Sequence, residues 1–279
     1  HANQSRIGKF DMRDKKNVVC SKNVISYARK MGWFTGRDAD FSWKNTYARP
    51  DFSGRRFCDA RVWSFSNPEQ KPCDRCLPWA LGKDHNAEDM RHRIVPDRKL
   101  SVHDVQMGMR DHYEGTAMAL DTTNVGGGIY QMPYRPTPLQ FKVDGKTYFN
   151  ERPISTQQTA FSFVSQLRSW MPREIGGVIW FGNDDANMIA YTPVYCGNTV
   201  QPECYNTPGA DAVTFSDKNA FWVCNWVSNM VYPRYSQIFP ELQAVRDSLE
   251  SSYFARQADF EKKAMNLYAT DKPSALRML

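Results

Sequence analysis

The sequence contains no apolar run approaching the roughly 20 residues of a membrane-spanning helix, so no membrane span is expected. It also has no cluster of basic residues. The formal net charge is +6, but acidic residues interrupt the lysines and arginines, as in DMRDKK. A nucleic-acid-binding surface would need a basic face with aromatic residues, or a known motif, and the sequence offers neither. We therefore expect neither a membrane span nor a nucleic-acid partner.

Patterns that bind metals are equally scarce. A single CxxC, Cys73–Cys76, lacks the second pair of a typical zinc site, and His85 and His92 are only loose candidates. No metal site is predicted. The seven cysteines are an odd number, so at least one thiol stays unpaired within the chain. Cys196 and Cys204 flank a polar loop and could form a local disulfide if the protein is exported.

Residue 1 is His rather than Met, and no signal peptide opens the chain. These features predict a processed product or a fragment of a longer protein. Localisation stays open: periplasmic or secreted if a leader preceded the missing part, and cytoplasmic otherwise.

The hydrophobic content of 41% over 279 residues is sufficient for a substantial core. Ser21 is a candidate cap for a helix that runs to about Met31 and stops at Gly32. Ser101 is followed by Asp104, a pattern typical of a capping box at the start of a second helix. Residues 60–65, ARVWSF, favour a short strand between them.

The middle of the chain predicts a hairpin packed against helices. Residues 176–181 and 188–194 are two apolar strands, joined by a tight connection at 183–186. Continuous apolar character predicts that the first strand is covered on both faces. Within 159–170, apolar residues recur at helical spacing, which favours a helix. Helices layered on a sheet define an α+β fold.

Two helices are expected near the carboxy terminus. The first carries a strongly aromatic face, ends before Pro233 and is interpreted as core-facing. Its apolar positions are Phe221, Trp222, Trp226 and Met230. The second runs from about Pro240 to Tyr268. Its buried side is predicted to carry Leu242, Val245 and Leu249.

Uncharged polar residues provide the main candidates for a binding site. Thr156, Gln157 and Gln158, with Thr159, lie between a short strand and the predicted helix. They could cap that helix, or they could face a cleft and hold a carbonyl or an amide; the sequence does not decide between these roles. Asn3 is a second candidate, because a side-chain amide N–H is a neutral, directional donor to an oxyanion. By itself, Asn3 would be interpreted as part of a frayed terminus.

Two acidic clusters have a structural and a functional interpretation. His112, between Asp111 and Glu114, could serve acid–base chemistry, but a His in the last helical turn also complements the helix dipole. The structural interpretation is favoured, since no nucleophile lies nearby in sequence. Asp184 and Asp185 could bind a cation or a substrate amine, although Asp is common in turns because it bonds its own backbone.

Taken together, several long segments resemble the dipeptidase A-like family of N-terminal-nucleophile cysteine hydrolases. These segments extend from residue 1 to residue 235 and read HANQSRI, PDRKLSVHDVQMGMRDHYEGT, ERPISTQQTAFSFVSQLRSW, GGVIWFGNDDAN and NWVSNMVYPRY. The resemblance implies an αββα sandwich and hydrolysis of dipeptides, with no metal or organic cofactor. In such enzymes the first residue of the mature chain is a Cys, whose thiolate attacks the amide carbon while its own α-amine acts as the base.

The resemblance also implies that this chain lacks the nucleophile. Residues 1–279 would be the carboxy-terminal portion of a single dipeptidase-like domain, with loop-rich insertions around 34–100 and 121–150. The missing amino-terminal portion would then be a partner, and the chain alone would be inactive. Asn3 takes the role of oxyanion donor, while Thr156, Gln157 and Gln158 are assigned to substrate binding.

Two alternatives remain. The chain could be a non-catalytic module that binds a peptide or an amino acid through the same cleft. It could also be a hydrolase that uses one of its internal cysteines. Half of a sandwich would expose a sticky sheet face, so we expect either self-association as a homo-oligomer or a separately closed domain.

Overall fold

The computed structural model describes residues 3–49, 51–66, 75–84, 86, 95–122, 127–135, 139–208 and 210–279. The chain divides into two compact units. The first unit comprises residues 1–98 and 137–152, and the second comprises 99–136 and 153–279. Helices and small antiparallel sheets both occur, which confirms the α+β class.

The first unit is mainly helical in its described part. Its helices are α1 (Val24–Lys30), α2 (Trp43–Tyr47), α3 (Phe52–Gly54), α4 (Ala60–Phe65) and α5 (Leu77–Ala80). A π-helical turn, Arg55–Asp59, joins α3 to α4. The hairpin β1 (Gln140–Val143) and β2 (Lys146–Phe149) completes the unit.

The second unit holds a three-stranded antiparallel sheet and its covering helices. The strands are β3 (Phe161–Leu167), β4 (Gly177–Asn183) and β5 (Thr192–Tyr195), in the order β3-β4-β5. The helices are α6 (Val102–Met109), α7 (Arg173–Gly176), α8 (Ala220–Val231), α9 (Tyr235–Thr270) and α10 (Lys272–Met278). Within the described part of the chain, no helix combines the length and apolar character that a membrane crossing requires.

One face of the sheet forms the core of the second unit. Val164, Val178 and Trp180 are buried on this face, where partly buried side chains from α6, α8 and α9 pack against them. Successive strand residues point to opposite faces. The opposite face is therefore formed by Phe161, Phe163, Leu167 and Ile179, which are 56, 50, 77 and 39% exposed. We call these four residues the open sheet face.

The helix predicted over 159–170 is wrong, because residues 161–167 form strand β3. Phe161, Val164 and Leu167 match a helical spacing, but exposure alternates along the segment as in a strand. Apolar residues occur on both faces of β3, and this masks the period of two in the sequence. Since no helix follows Thr159, the interpretation of the preceding amides as a helix cap is also wrong.

The hairpin is confirmed, but its connection is longer than predicted. Strand β4 pairs antiparallel with β5, with Val178 opposite Tyr195, and residues 184–191 connect the two strands. The apolar residues 188–191 therefore belong to the connection rather than to a strand, and three of them, Met188, Ile189 and Tyr191, are buried there. The prediction that β4 is covered on both faces is wrong, because Ile179 is 39% exposed.

The other local predictions have mixed outcomes. The capping box is confirmed: Ser101 and Asp104 exchange hydrogen bonds at the start of α6. Helix α1 is also confirmed, although it begins at Val24 after Asn23, without the predicted Ser21 cap. The strand predicted at 60–65 is wrong, because these residues continue a helical segment as α4.

Both carboxy-terminal helices are confirmed, but the predicted buried faces are not. Trp226 and Met230 on α8 are 55 and 61% exposed, and Val245 and Leu249 on α9 are 60 and 43% exposed. The buried positions of α9 include Arg246, Glu250 and Glu261. Helix α9 thus buries charged residues as well as apolar ones such as Phe254. In the sequence, these charged positions resemble a solvent-exposed face.

Glu250 explains this arrangement. It receives two hydrogen bonds from Arg110, at 2.5 and 3.0 Å, and both residues are at most 3% exposed. Arg110 also donates to the carbonyl oxygens of Ala186 and Ile189, at 3.0 and 3.1 Å. Glu250 accepts the backbone N–H of Tyr191 at 2.7 Å. The ion pair therefore fixes the 184–191 connection between the end of α6 and α9.

Replacing Glu250 with Ala should reduce the free energy of unfolding by about 3 to 5 kcal/mol, because it leaves the Arg110 charge buried without its partner. Urea unfolding followed by circular dichroism measures this loss. Glu241→Ala, at an exposed position of the same helix, is the matched control and should change the value by less than about 0.5 kcal/mol. A loss for Glu250→Ala that is no larger than the control's would contradict the role of this pair.

Candidate functional site

The connection after β4 places two carboxylates inside the second unit. Asp184 and Asp185 are 2 and 1% exposed. Asp184 has a φ of 81°, a left-handed conformation that Asp tolerates better than most residues. Its Oδ1 accepts the N–H of Asp185 at 2.6 Å, the local backbone bond expected of Asp in a turn.

The two carboxylates have different surroundings. Both oxygens of Asp185 are bound by hydroxyl groups, Oδ1 by Ser155 and Oδ2 by Tyr232 at 2.8 Å. Asp185 is therefore an internal anchor for the connection. Asp184 instead lines a cavity. Burial raises the pKa of Asp184 more than the hydrogen bond from the Asp185 N–H lowers it.

We call this space the Asp184 cavity. Its volume is about 270 Å³, slightly below the usual range for small-molecule pockets. Such a volume suits a group the size of one amino-acid residue. The cavity is lined by Met132, Tyr134, Gln157, Asp184, Asn225, Asn229, Tyr232 and Pro233. Of these lining residues, Asp184 alone carries a formal charge.

Of the predicted substrate-binding residues, Gln157 lines this cavity. Thr156 supports it, because the Thr156 hydroxyl donates to Oε1 of Gln157 at 2.9 Å. The side-chain N–H groups of Gln157 remain as donors. Gln158 is exposed and does not line the cavity. The position of Gln157 is thus consistent with a cleft-facing role. Thr156 contributes indirectly, through its hydrogen bond to Gln157.

Asn225 and Asn229 were missed by sequence reasoning. Their side-chain amides donate back along α8, from Asn225 to the Phe221 oxygen at 2.9 Å and from Asn229 to the Asn225 oxygen at 2.8 Å. Each bond holds the NH₂ group against the helix, so the side-chain oxygen is left as an acceptor. Their spacing of four residues places both side chains on one face of the helix, and this spacing was the signal in the sequence that could have identified them as a pair.

Asn3 belongs to the first unit. It is exposed, with a φ of 62°, and its Oδ1 accepts a hydrogen bond from Arg61 at 2.7 Å. This bond orients the side chain and leaves its amide N–H groups as donors. Its role as an oxyanion donor stays a prediction.

The His112 cluster is organised by local contacts. His112 is 2% exposed, and its Nδ1 lies 2.8 Å from Oε1 of Glu114. The backbone oxygen of Asp111 accepts the N–H of Ser155 at 3.2 Å, which ties the cluster to the polar segment before β3. Burial lowers the pKa of His112, but the hydrogen bond and charge of Glu114 outweigh it, so the pKa is raised overall.

Among the described cysteines, Cys224 on α8 is the one whose thiol packs against the core of the second unit. Burial raises the pKa of Cys224 to about 11, so its thiol stays protonated at neutral pH. Cys196 and Cys204 are exposed free thiols, so the disulfide considered for an exported protein is not formed in this structure. The CxxC cannot be assessed as a pair, because Cys73 lies outside the described residues, as do His85 and His92.

Comparison with known proteins found one family match and several similar proteins. Residues 1–248 match the model of peptidase family C69. A probable dipeptidase B of Streptococcus pyogenes serotype M1 is 25% identical over 272 residues, which cover 96% of this chain and 49% of that protein. A probable dipeptidase of Salmonella dublin is 24% identical over 196 residues, covering 70% and 39%, respectively.

Since the match extends over most of its length, the chain belongs to peptidase family C69. This confirms the dipeptidase-like resemblance. A probable dipeptidase of Latilactobacillus sakei is similar at 23% identity over 237 residues, or 84% of this chain and 43% of the relative. The chain spans about half the length of curated relatives that it matches over nearly its whole length.

The raised pKa of His112 predicts a pH-dependent stability. A group with a raised pKa in the folded state contributes stability below its unfolded pKa, about 6.5, and this contribution is lost as pH rises through the folded value. Glu114→Gln should therefore lower the free energy of unfolding by about 1 kcal/mol at pH 5.5, and by less at pH 9. Urea unfolding at both pH values measures the difference.

Glu203→Gln is the matched control, at an exposed position of the same unit. It should have no pH-dependent effect. An equal loss for Glu114→Gln at both pH values would rule out a protonated His112 as its cause.

Proposed function

We propose that this chain forms part of a cysteine dipeptidase that acts through an amino-terminal nucleophile outside the chain. The observation that carries the proposal is the match to peptidase family C69 over residues 1–248. The names of the relatives, all probable dipeptidases, support a dipeptide substrate. Their length, about twice that covered here, leaves room for a further portion that carries the nucleophile.

The proposed reaction is amide hydrolysis in two steps. The α-amine of the nucleophilic Cys takes the thiol proton, and the thiolate attacks the amide carbon to form a C–S bond and a tetrahedral oxyanion. This intermediate collapses to a thioester as the C–N bond breaks, and the leaving amine takes up the proton that the α-amine holds. Water then attacks the thioester, and a second tetrahedral intermediate releases the acid and the thiol. Asn3 would donate an N–H to the oxyanion of each tetrahedral intermediate.

The open sheet face supports an αββα sandwich in the complete protein. Phe161, Phe163, Leu167 and Ile179 form a contiguous apolar surface on one side of the β3-β4-β5 sheet, while helices cover the other side. A second sheet stacked about 10 Å away would bury this surface. The proposed fold thus accounts for apolar residues that the second unit leaves exposed.

A non-catalytic peptide-binding module is the second candidate. It is favoured by the Asp184 cavity, whose lining residues all belong to the second unit. Binding through this cavity does not depend on a nucleophile. Both candidate functions therefore predict peptide binding, but only the dipeptidase predicts hydrolysis by the longer protein.

The proposal predicts that the longer protein, with a free amino-terminal Cys, hydrolyses unmodified dipeptides, and that this chain alone does not. Replacing that Cys with Ala should reduce the rate by about 10³-fold or more, because attack on the amide carbon is lost. Amine release from a dipeptide measures the activity. Hydrolysis by this chain alone, or none by the longer protein, would contradict the proposal.

The open sheet face predicts self-association of this chain. Phe163→Lys should raise the dissociation constant of the self-associated form by about tenfold or more, because a charge then interrupts the apolar surface. Sedimentation velocity over a range of concentrations measures the shift. Val213→Lys is the matched control at a position that is 88% exposed outside the sheet. A wild-type chain that stays monomeric over the whole concentration range would contradict this prediction.

A further inference from the structure

The Asp184 cavity has the charge and acceptor pattern of a cation site. Asp184 supplies a carboxylate, and Asn225 and Asn229 supply side-chain oxygens, since their NH₂ groups are bound to α8 carbonyls. An ammonium group offers three N–H donors and a positive charge, so it can satisfy all three acceptors. Tyr134 and Tyr232 add aromatic rings, which also favour a cation.

Gln157 gives the cavity a second kind of group. Its Oε1 is bound by the Thr156 hydroxyl, so its amide presents donors rather than an acceptor. The cavity therefore combines acceptors for a cation with a donor for an oxygen. An ammonium group one carbon away from a carbonyl has this combination, and it is the structure of a peptide's amino terminus.

We infer that the Asp184 cavity binds the free α-ammonium group of a peptide, with Gln157 donating to the neighbouring carbonyl oxygen. The inference rests on the proposed function in that the ligand is a dipeptide. Asp184, Asn225 and Asn229 select peptides with an unmodified amino terminus. Asp185 has no such role, because both of its oxygens are bound by hydroxyl groups.

Burial of Asp184 is consistent with this role. Without a cation, burial raises the pKa of this carboxyl, since the charged form is poorly solvated. A bound ammonium group compensates for the lost hydration. The connection that carries Asp184 is held by Arg110, through the carbonyl oxygens of Ala186 and Ile189, and by Glu250, through the N–H of Tyr191.

Isothermal titration calorimetry on this chain tests the inference without requiring catalysis. Alanyl-alanine should bind, and N-acetyl-alanyl-alanine should bind at least about 30-fold more weakly, because acetylation removes the charge and two donors. Asp184→Asn should weaken alanyl-alanine by a similar factor and leave the acetylated peptide nearly unchanged. Asp217→Asn, the same substitution at an exposed position, should have no effect.

Asn229→Lys provides a second variant at an exposed helical position, so it tests the site even if Asp184→Asn fails to fold. It should abolish binding of alanyl-alanine, because a second cation enters the cavity, whereas Asn229→Gln should retain most of it. Circular dichroism confirms folding of each variant. No binding of alanyl-alanine by the wild-type chain, or equal affinity for the acetylated peptide, would overturn the inference.

Hydrolysis by the longer protein separates this inference from the proposed function. A protein that hydrolyses dipeptides but binds both peptides equally would support the function and reject the site. A chain that prefers the free amine, within a longer protein that does not hydrolyse dipeptides, would support the site and reject the enzyme.

Discussion

The ion pair between Arg110 and Glu250 is the interaction on which the interior of the second unit depends. It joins the end of α6 to the middle of α9, and both partners also bind the backbone of the 184–191 connection. A charge at this depth is costly unless every partner is in place. The pair therefore stabilises the conformation of the connection in which these backbone groups are bonded. Its consequence is a fixed position for Asp184 and Asp185 at the end of β4.

The same arrangement explains why two adjacent carboxylates have different roles. Asp185 receives hydroxyl groups from Ser155 and Tyr232, so it binds three separate segments together. Asp184 has a left-handed backbone conformation, and its side chain lines the cavity. Helix α8 contributes amide oxygens to that cavity because its own carbonyls hold the amide nitrogens of Asn225 and Asn229. Selectivity for a cation would thus arise from hydrogen bonds made within the protein.

Features with local causes could be predicted from the sequence. The Ser101–Asp104 capping box needs only four residues, and α6 begins where that pattern places it. The identity of β3 was not predictable, because Phe161 and Phe163 make its exposed face as apolar as its buried one. Burial of Glu250 depends on Arg110, 140 residues earlier, so no window around α9 reveals it. Among the residues that line the cavity, Gln157 belongs to the polar segment 156–159 that the sequence singles out, whereas Asn225 and Asn229 resemble ordinary helix-surface residues.

The left-handed backbone at Asp184 lowers the stability of the fold, whereas the carboxylate at this position is needed to bind the ligand. A non-glycine residue at a φ of 81° stores conformational strain of about 1 kcal/mol or more. Glycine would relieve this strain but would also remove the carboxylate. A directed search for thermostable variants would therefore tend to enrich glycine at position 184, and the variants it recovered would tolerate heat while losing the ability to distinguish free from blocked peptide termini.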